Sequence, residues 1–73
     1  MTRLKLYGRR QCQLCEEMAE ALRRRGVAFD EIDVDGSPEL KERYGRIVPV
    51  LTDAAGRELA RVRLDEAALR QIP

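Results

Sequence analysis

The stretch Leu4-Lys5-Leu6-Tyr7-Gly8-Arg9-Arg10-Gln11-Cys12-Gln13-Leu14-Cys15-Glu16-Glu17-Met18 decides how this chain is read, and Cys12 and Cys15 in it are the only two cysteines. Upstream, Leu4 and Leu6 alternate with Arg3 and Lys5, so Thr2–Tyr7 reads as a strand. Downstream, Leu14, Cys15, Met18, Ala19, Ala21 and Leu22 fall on one helical face. Gln13, Glu16, Glu17, Glu20, Arg23 and Arg24 fall on the other. This pattern puts Cys12 at a helix N-terminus and Cys15 one turn in, facing the core.

A sulfur at a helix N-terminus meets unpaired backbone N–H groups and about half a positive charge, which favours the thiolate. Arg9 and Arg10 add positive potential, while Glu16 and Glu17 in the first turn oppose it, so moderate activation is expected. Cys15 is close enough to close a disulfide with Cys12. The chemistry that follows is a reversible dithiol/disulfide, with Cys12 attacking and Cys15 resolving. Two other readings compete. Half a zinc site needs two more ligands, and the chain has no histidine and no further cysteine, so a dimer or carboxylates would have to complete it. A pair of merely buried small residues suits Cys15 but not Cys12. No metal site is assigned.

Length and charge narrow the field. A chain of 73 residues is one domain with a thin core. The formal net charge of +1 gives no global field for nucleic acid or a membrane surface. Met1-Thr2-Arg3-Leu4-Lys5 lacks the apolar run of a signal peptide, and no segment is long enough to span a bilayer. A cytoplasmic location and a monomer are expected, and in a reducing compartment a single CxxC is catalytic more often than structural.

Along the rest of the chain, Arg23-Arg24-Arg25 complements a helix C-terminus and Gly26 caps it. Val27–Val34 reads as a second strand. Its apolar phase slips between Phe29 and Ile32, which points to a bend or bulge. Ser37-Pro38-Glu39 starts a short helix as N-cap, first-turn proline and first-turn acid, with Leu40 and Tyr44 on one face and Gly45 at its end. The two strands flanking the first helix form a parallel βαβ unit. Arg46-Ile47-Val48-Pro49-Val50-Leu51 is an apolar strand broken by a proline, so either an edge strand or one that begins at the proline. Asp53-Ala54-Ala55-Gly56 turns into an edge strand over Arg57–Arg63. Asp65 caps a last helix, Glu66–Ile72, with Leu64 and Leu69 as a hydrophobic staple and Leu69 and Ile72 as its stripe.

The order βαβαββα, the CxxC after the first strand, and Ile47-Val48-Pro49-Val50-Leu51 further on together resemble the thioredoxin fold in its smallest, glutaredoxin-like form. That is an α/β fold with a mixed four-stranded sheet, closest to short bacterial glutaredoxin-like proteins. The resemblance implies a cis Val48–Pro49 bond beside the active-site disulfide. It also implies that the Val48 backbone binds the peptide groups of a thiol substrate, as in strand addition. It departs from the family pattern in three places: Gln13-Leu14 stands where glutaredoxins commonly have Pro-Tyr, Gln11 where thioredoxins have tryptophan, and Ala60-Arg61-Val62-Arg63-Leu64-Asp65 has no Gly-Gly. Asp65 at the last helix N-terminus, alone in matching by position, is the candidate for the amino group of glutathione; Arg10, Arg9 or Arg46 is the candidate for a carboxylate.

The function expected is a thiol–disulfide oxidoreductase with no bound cofactor and glutathione as a candidate co-substrate. Its partners would be a disulfide-bearing protein or glutathione disulfide, with a separate reductase as the other electron source. The reading from a different class is a binding module of the same fold, bridging a metal or iron–sulfur cluster in a dimer or docking a partner at the Pro49 edge.

Overall fold

The computed structural model describes residues 3–72. Leu4–Gly8 forms β1, followed by α1 (Gln13–Arg24), β2 (Phe29–Asp33), a 3-10 turn at Val34–Gly36, α2 (Pro38–Tyr44), β3 (Val50–Thr52), β4 (Glu58–Arg61) and α3 (Glu66–Gln71). The sheet runs β2-β1-β3-β4. β1 is parallel to β2 and antiparallel to β3, and β3 is antiparallel to β4. This is the element order and the mixed four-stranded sheet anticipated above. The start expected for β1 at Thr2 lies outside the described residues.

Successive residues of a strand point to opposite faces, and here both faces are covered. Leu4 and Leu6 of β1 and Leu51 of β3 pack with Met18, Ala19 and Leu22 of α1 and Ala68 of α3. Tyr7 and Val50 point the other way, into a cluster with Val34 and Tyr44, and Leu40, Ile47 and Val48 pack against it. The Tyr7 and Tyr44 rings stack with centroids 4.5 Å apart, tying β1 to α2. Two helices therefore cover one face of the sheet and one covers the other.

This two-sided cover corrects the reading of β2. No bulge separates Phe29 from Ile32: the parallel register runs unbroken from Leu4↔Phe29 to Gly8↔Asp33. Val27 and Phe29 pack into the α1 layer, Ile32 and Val34 into the α2 layer. What looked like a slipped phase is one strand serving two cores. The strand is also shorter than Val27–Val34, because the Asp33 side chain accepts the Asp35 N–H at 2.9 Å and turns the chain into the 3-10 segment. The irregularity lies instead in β4, where Leu51 faces Ala60 but Thr52 faces Glu58. Leu59 is the extra residue of a bulge, which sends both Leu59 and Ala60 into the α1 layer. That bulge accounts for the poor alternation of this edge strand.

Three further expectations are corrected. Leu14, placed on the apolar face of α1, is exposed. Of the two alternatives for the proline-led segment, the edge strand falls: β3 lies inside the sheet between β1 and β4, and it begins directly after Pro49, at Val50, as the other alternative has it. In α3 the fully buried residue is Ala68, which together with Ile72 faces the core, while Leu69 is only half-buried.

The helix caps follow their sequence signals. Ser37 accepts the Leu40 N–H and Asp65 the Ala68 N–H at 2.8 Å. At the end of α1, Arg25 is the last capping residue and Gly26 takes φ 69° beyond it. Gly26 N–H bonds to Arg23 O and Val27 N–H to Leu22 O, the paired bonds of a Schellman motif. Arg23 serves β2 as well as the helix end: its guanidinium lies over the Phe29 ring and pairs with Glu31. A Cβ on Gly26 meets nothing within 4 Å, so its cost is conformational alone. Gly26→Ala should lower stability by about 1 kcal/mol in urea unfolding. Gly36→Ala, in open space without a positive φ, should leave it unchanged or slightly raised.

Candidate active site

β1 ends at Gly8, and Arg9–Gln11 turn the chain into α1. Gln11 takes φ 57° in that turn, a left-handed conformation uncommon outside glycine. Its consequence is the placement of the next residue: Cys12 is extended, at φ −112° and ψ 105°, and is the N-cap of α1. Cys12 Sγ accepts the Cys15 N–H at 3.1 Å, taking the place of the usual hydroxyl or carboxylate cap, and the Cys12 carbonyl accepts the Glu16 N–H. Cys12 and Cys15 are joined in a disulfide with Cα atoms 5.2 Å apart. Cys12 is half-buried and Cys15 is 8% exposed, so the two sulfurs are unequal in access.

Gly8 lies on the inner side of this pair. A Cβ on Gly8 would stand 3.1 Å from Cys15 Sγ and 3.2 Å from Cys15 Cβ, inside ordinary van der Waals contact. The end of the strand thus passes close to Cys15, with no room for a side chain between them. Sequence reasoning did not single out Gly8, although glycine in a strand often marks a close backbone approach.

The arginines separate. Arg9 is engaged elsewhere: its Nη2 donates to Asp35 Oδ1 at 3.2 Å and lies 3.1 Å from where a Cβ on Gly45 would stand, at the end of α2. Its Nε is buried with no partner among the described residues. The positive potential credited to Arg9 near Cys12 is therefore shared with Asp35 and the α2 C-terminus. Arg10 is exposed and lines a groove with Gly8, Gln13 and Cys15.

Val48, Pro49 and Asp65 lie outside that groove's lining. Val48 is half-buried in the α2 layer, and the Val48–Pro49 peptide is cis with Pro49 buried. Pro49 O accepts the Val62 N–H at 2.7 Å. Val62 takes φ 69°, and Arg63 N–H returns to Arg61 O at 2.8 Å, which closes a γ-turn. A β-branched residue in this region costs about 1–3 kcal/mol. Val62 stands within Ala60–Asp65, the stretch that lacks the Gly-Gly usual in glutaredoxins, in a backbone conformation that suits glycine. Asp65 is exposed, its Oδ1 occupied by the Ala68 N–H.

With this geometry in hand, a family model described as Glutaredoxin-like domain (DUF836) matches residues 3–72. The chain belongs to this glutaredoxin-like family. Among solved structures, the crystal structure of structural-genomics target protein XcR50 from X. campestris is 40% identical, with 93% of this chain and 91% of that one covered, at a TM-score of 0.79. The solution structure of the same protein gives 40% identity, 94% and 88% coverage and a TM-score of 0.75. Protein Ne2328 from Nitrosomonas europaea, solved by NMR, is 32% identical over 99% of this chain and 92% of its own, at a TM-score of 0.84. No curated protein matches the chain. The neighbours extend over nearly all of this glutaredoxin-like chain, so the fold is thioredoxin-like throughout.

The left-handed turn before Cys12 can be tested by substitution. Gln11 is exposed, so its replacement loses little packing. Gln11→Gly should raise stability by up to about 0.5 kcal/mol, the relief of the left-handed conformation being partly offset by unfolded-chain entropy. Gln11→Val should lower it by about 1 kcal/mol, since branching at Cβ is least tolerated there. Urea unfolding of the two variants beside wild type measures the difference.

Proposed function

We propose that this glutaredoxin-like protein is a thiol–disulfide oxidoreductase acting through Cys12 and Cys15. The observation that carries the reading is the cap: a half-buried Cys12 sulfur at the N-terminus of α1, hydrogen-bonded by the Cys15 N–H and linked to a nearly buried Cys15. Once the disulfide is reduced, the same backbone donor faces the Cys12 sulfur, and the helix N-terminus favours its thiolate.

Cys12 thiolate attacks one sulfur of a substrate disulfide and expels the other as a thiolate, which takes up a proton. The product is a mixed disulfide between Cys12 and the substrate. Cys15 gives up its proton and attacks the Cys12 sulfur, releasing the second substrate thiolate and forming the Cys12–Cys15 disulfide. Two electrons have passed to the substrate. Two thiols return them, either two molecules of glutathione or the dithiol of a reductase.

The substrate class is a protein disulfide or a mixed disulfide with glutathione. The Val48 backbone beside cis-Pro49 is assigned to an extended substrate segment. Arg10, exposed at the groove beside Cys15, is assigned to a carboxylate, and Asp65 to an amino group. No bound cofactor takes part. Among the described residues no helix is long and apolar enough to cross a membrane. The reading adopts a monomer in the reducing cytoplasm, where a dithiol is regenerated.

The test is intact mass after incubation with oxidised glutathione. Cys15→Ser should gain one glutathione and hold it, because nothing resolves the mixed disulfide, and Cys12→Ser should gain none. Turnover on a glutathionylated peptide should fall by more than 100-fold in Cys12→Ser. Retained turnover in Cys12→Ser would overturn the assignment of the nucleophile.

A further inference from the structure

We infer that Gly8 is a positioning residue for the redox pair: its bare Cα is the slot that seats the Cys15 sulfur when it is joined to Cys12. The inference rests on the dithiol/disulfide reading above and adds a residue to it. It starts from a contact. Gly8 closes β1, paired with Asp33 in the parallel register, so its backbone is held by the sheet and cannot swing away. Cys15 is held from the other side, in the first turn of α1 and nearly buried. Between two fixed backbones, a Cβ at position 8 would lie 3.1 Å from Cys15 Sγ and 3.2 Å from Cys15 Cβ. Carbon and sulfur at optimal separation stand beyond 3.5 Å, so a side chain here crowds both atoms and one of them must give by a few tenths of an ångström.

The two overlaps differ in what they depend on. The overlap with Cys15 Cβ exists in every redox state, because that atom is fixed by the helix backbone. The overlap with Cys15 Sγ can be relieved only by rotating the side chain. In the dithiol, a change of staggered rotamer about the Cα–Cβ bond can do this. In the disulfide it is not, because Sγ is tethered to Cys12, whose own position is set by its N-cap bond. A methyl group at position 8 therefore raises the energy of the oxidised form more than that of the reduced form. Gly8 therefore favours the disulfide form of the pair. No substrate contact is assigned to it.

The relevant equilibrium is one dithiol protein plus one glutathione disulfide giving one disulfide protein plus two glutathione, balanced in sulfur, protons and electrons. Its constant is read by equilibrating the protein in glutathione redox buffers, trapping free thiols by alkylation and weighing the products. Gly8→Ala should lower the constant by at least threefold. Gly36→Ala, where nothing lies within 4 Å of the added methyl, should leave it unchanged. Thermal unfolding of each variant in both redox states supplies the second readout: Gly8→Ala should lower Tm more in the oxidised protein than in the reduced one. An unchanged constant, or equal loss of Tm in both states, would mean that Gly8 only fills space and would overturn the inference while leaving the oxidoreductase reading intact. A wild type that forms no Cys12–Cys15 disulfide in any glutathione buffer would overturn both, and the wild-type measurement separates the two failures before any variant is made.

Discussion

β1 is hydrogen-bonded along both sides and packed on both faces, and the other elements take their places from it. Leu4 and Leu6 meet α1 and α3, Tyr7 meets α2, and β2 and β3 pair on its flanks. Burying a residue such as Leu4 or Leu22 contributes about 1.5–3 kcal/mol, a large share of the stability of a chain this short. A strand paired on both sides and packed on both faces has little freedom to drift, which fixes the point where it stops. It stops beside the first turn of α1, and the Cys12–Cys15 pair sits at that junction.

The electrostatics of the junction come mainly from backbone. Cys12 Sγ has the Cys15 N–H, while Glu16 in the same turn opposes an anion there. Arg9, directly after the end of β1, reaches across to Asp35 and to the end of α2. There its charge complements the helix C-terminus and ties the α2 layer to the end of β1. Arg10 keeps its charge in solvent. The site is thus a polar helix start with modest help from side chains, consistent with the balance of arginine and glutamate around it.

Features set by local chemistry were legible in the sequence. The helix start at Cys12 and the caps at Ser37 and Asp65 each depend on a few consecutive residues, and all three are formed; that the Cys12 sulfur itself serves as the cap was not legible. The order of elements followed from periodicity, and the parallel β1–β2 pair from the length of the intervening helix. What was not legible depends on residues far apart in sequence. Whether Phe29 and Ile32 share a face or use two cannot be told until both sides of the sheet are known to be covered. Leu14 fits the apolar stripe of α1 by spacing, but the buried stripe is the narrower one of Cys15, Met18, Ala19 and Leu22, and Leu14 stands outside it. Ala68 gives a weaker signal than Leu69 because alanine is a weak hydrophobic residue, yet it is Ala68 that is fully buried against the core. Gly8 and Val62 are cases of backbone geometry, the first a close approach and the second a left-handed turn held by Pro49 O, and neither is written in the residue type alone.

The two-faced packing of β2 has a consequence for alignment. This edge strand carries Asp30, Glu31 and Asp33 among its five residues, a composition poorly suited to extended structure. Strands of this kind are prone to slide along their neighbour. Here a shift by one residue would exchange faces for every side chain, drawing Phe29 out of one layer and Ile32 out of the other while pushing carboxylates into both. Most edge strands are checked against sliding from one side only. This one is checked from two, so a short, acidic ribbon holds a single alignment that its own sequence would not enforce.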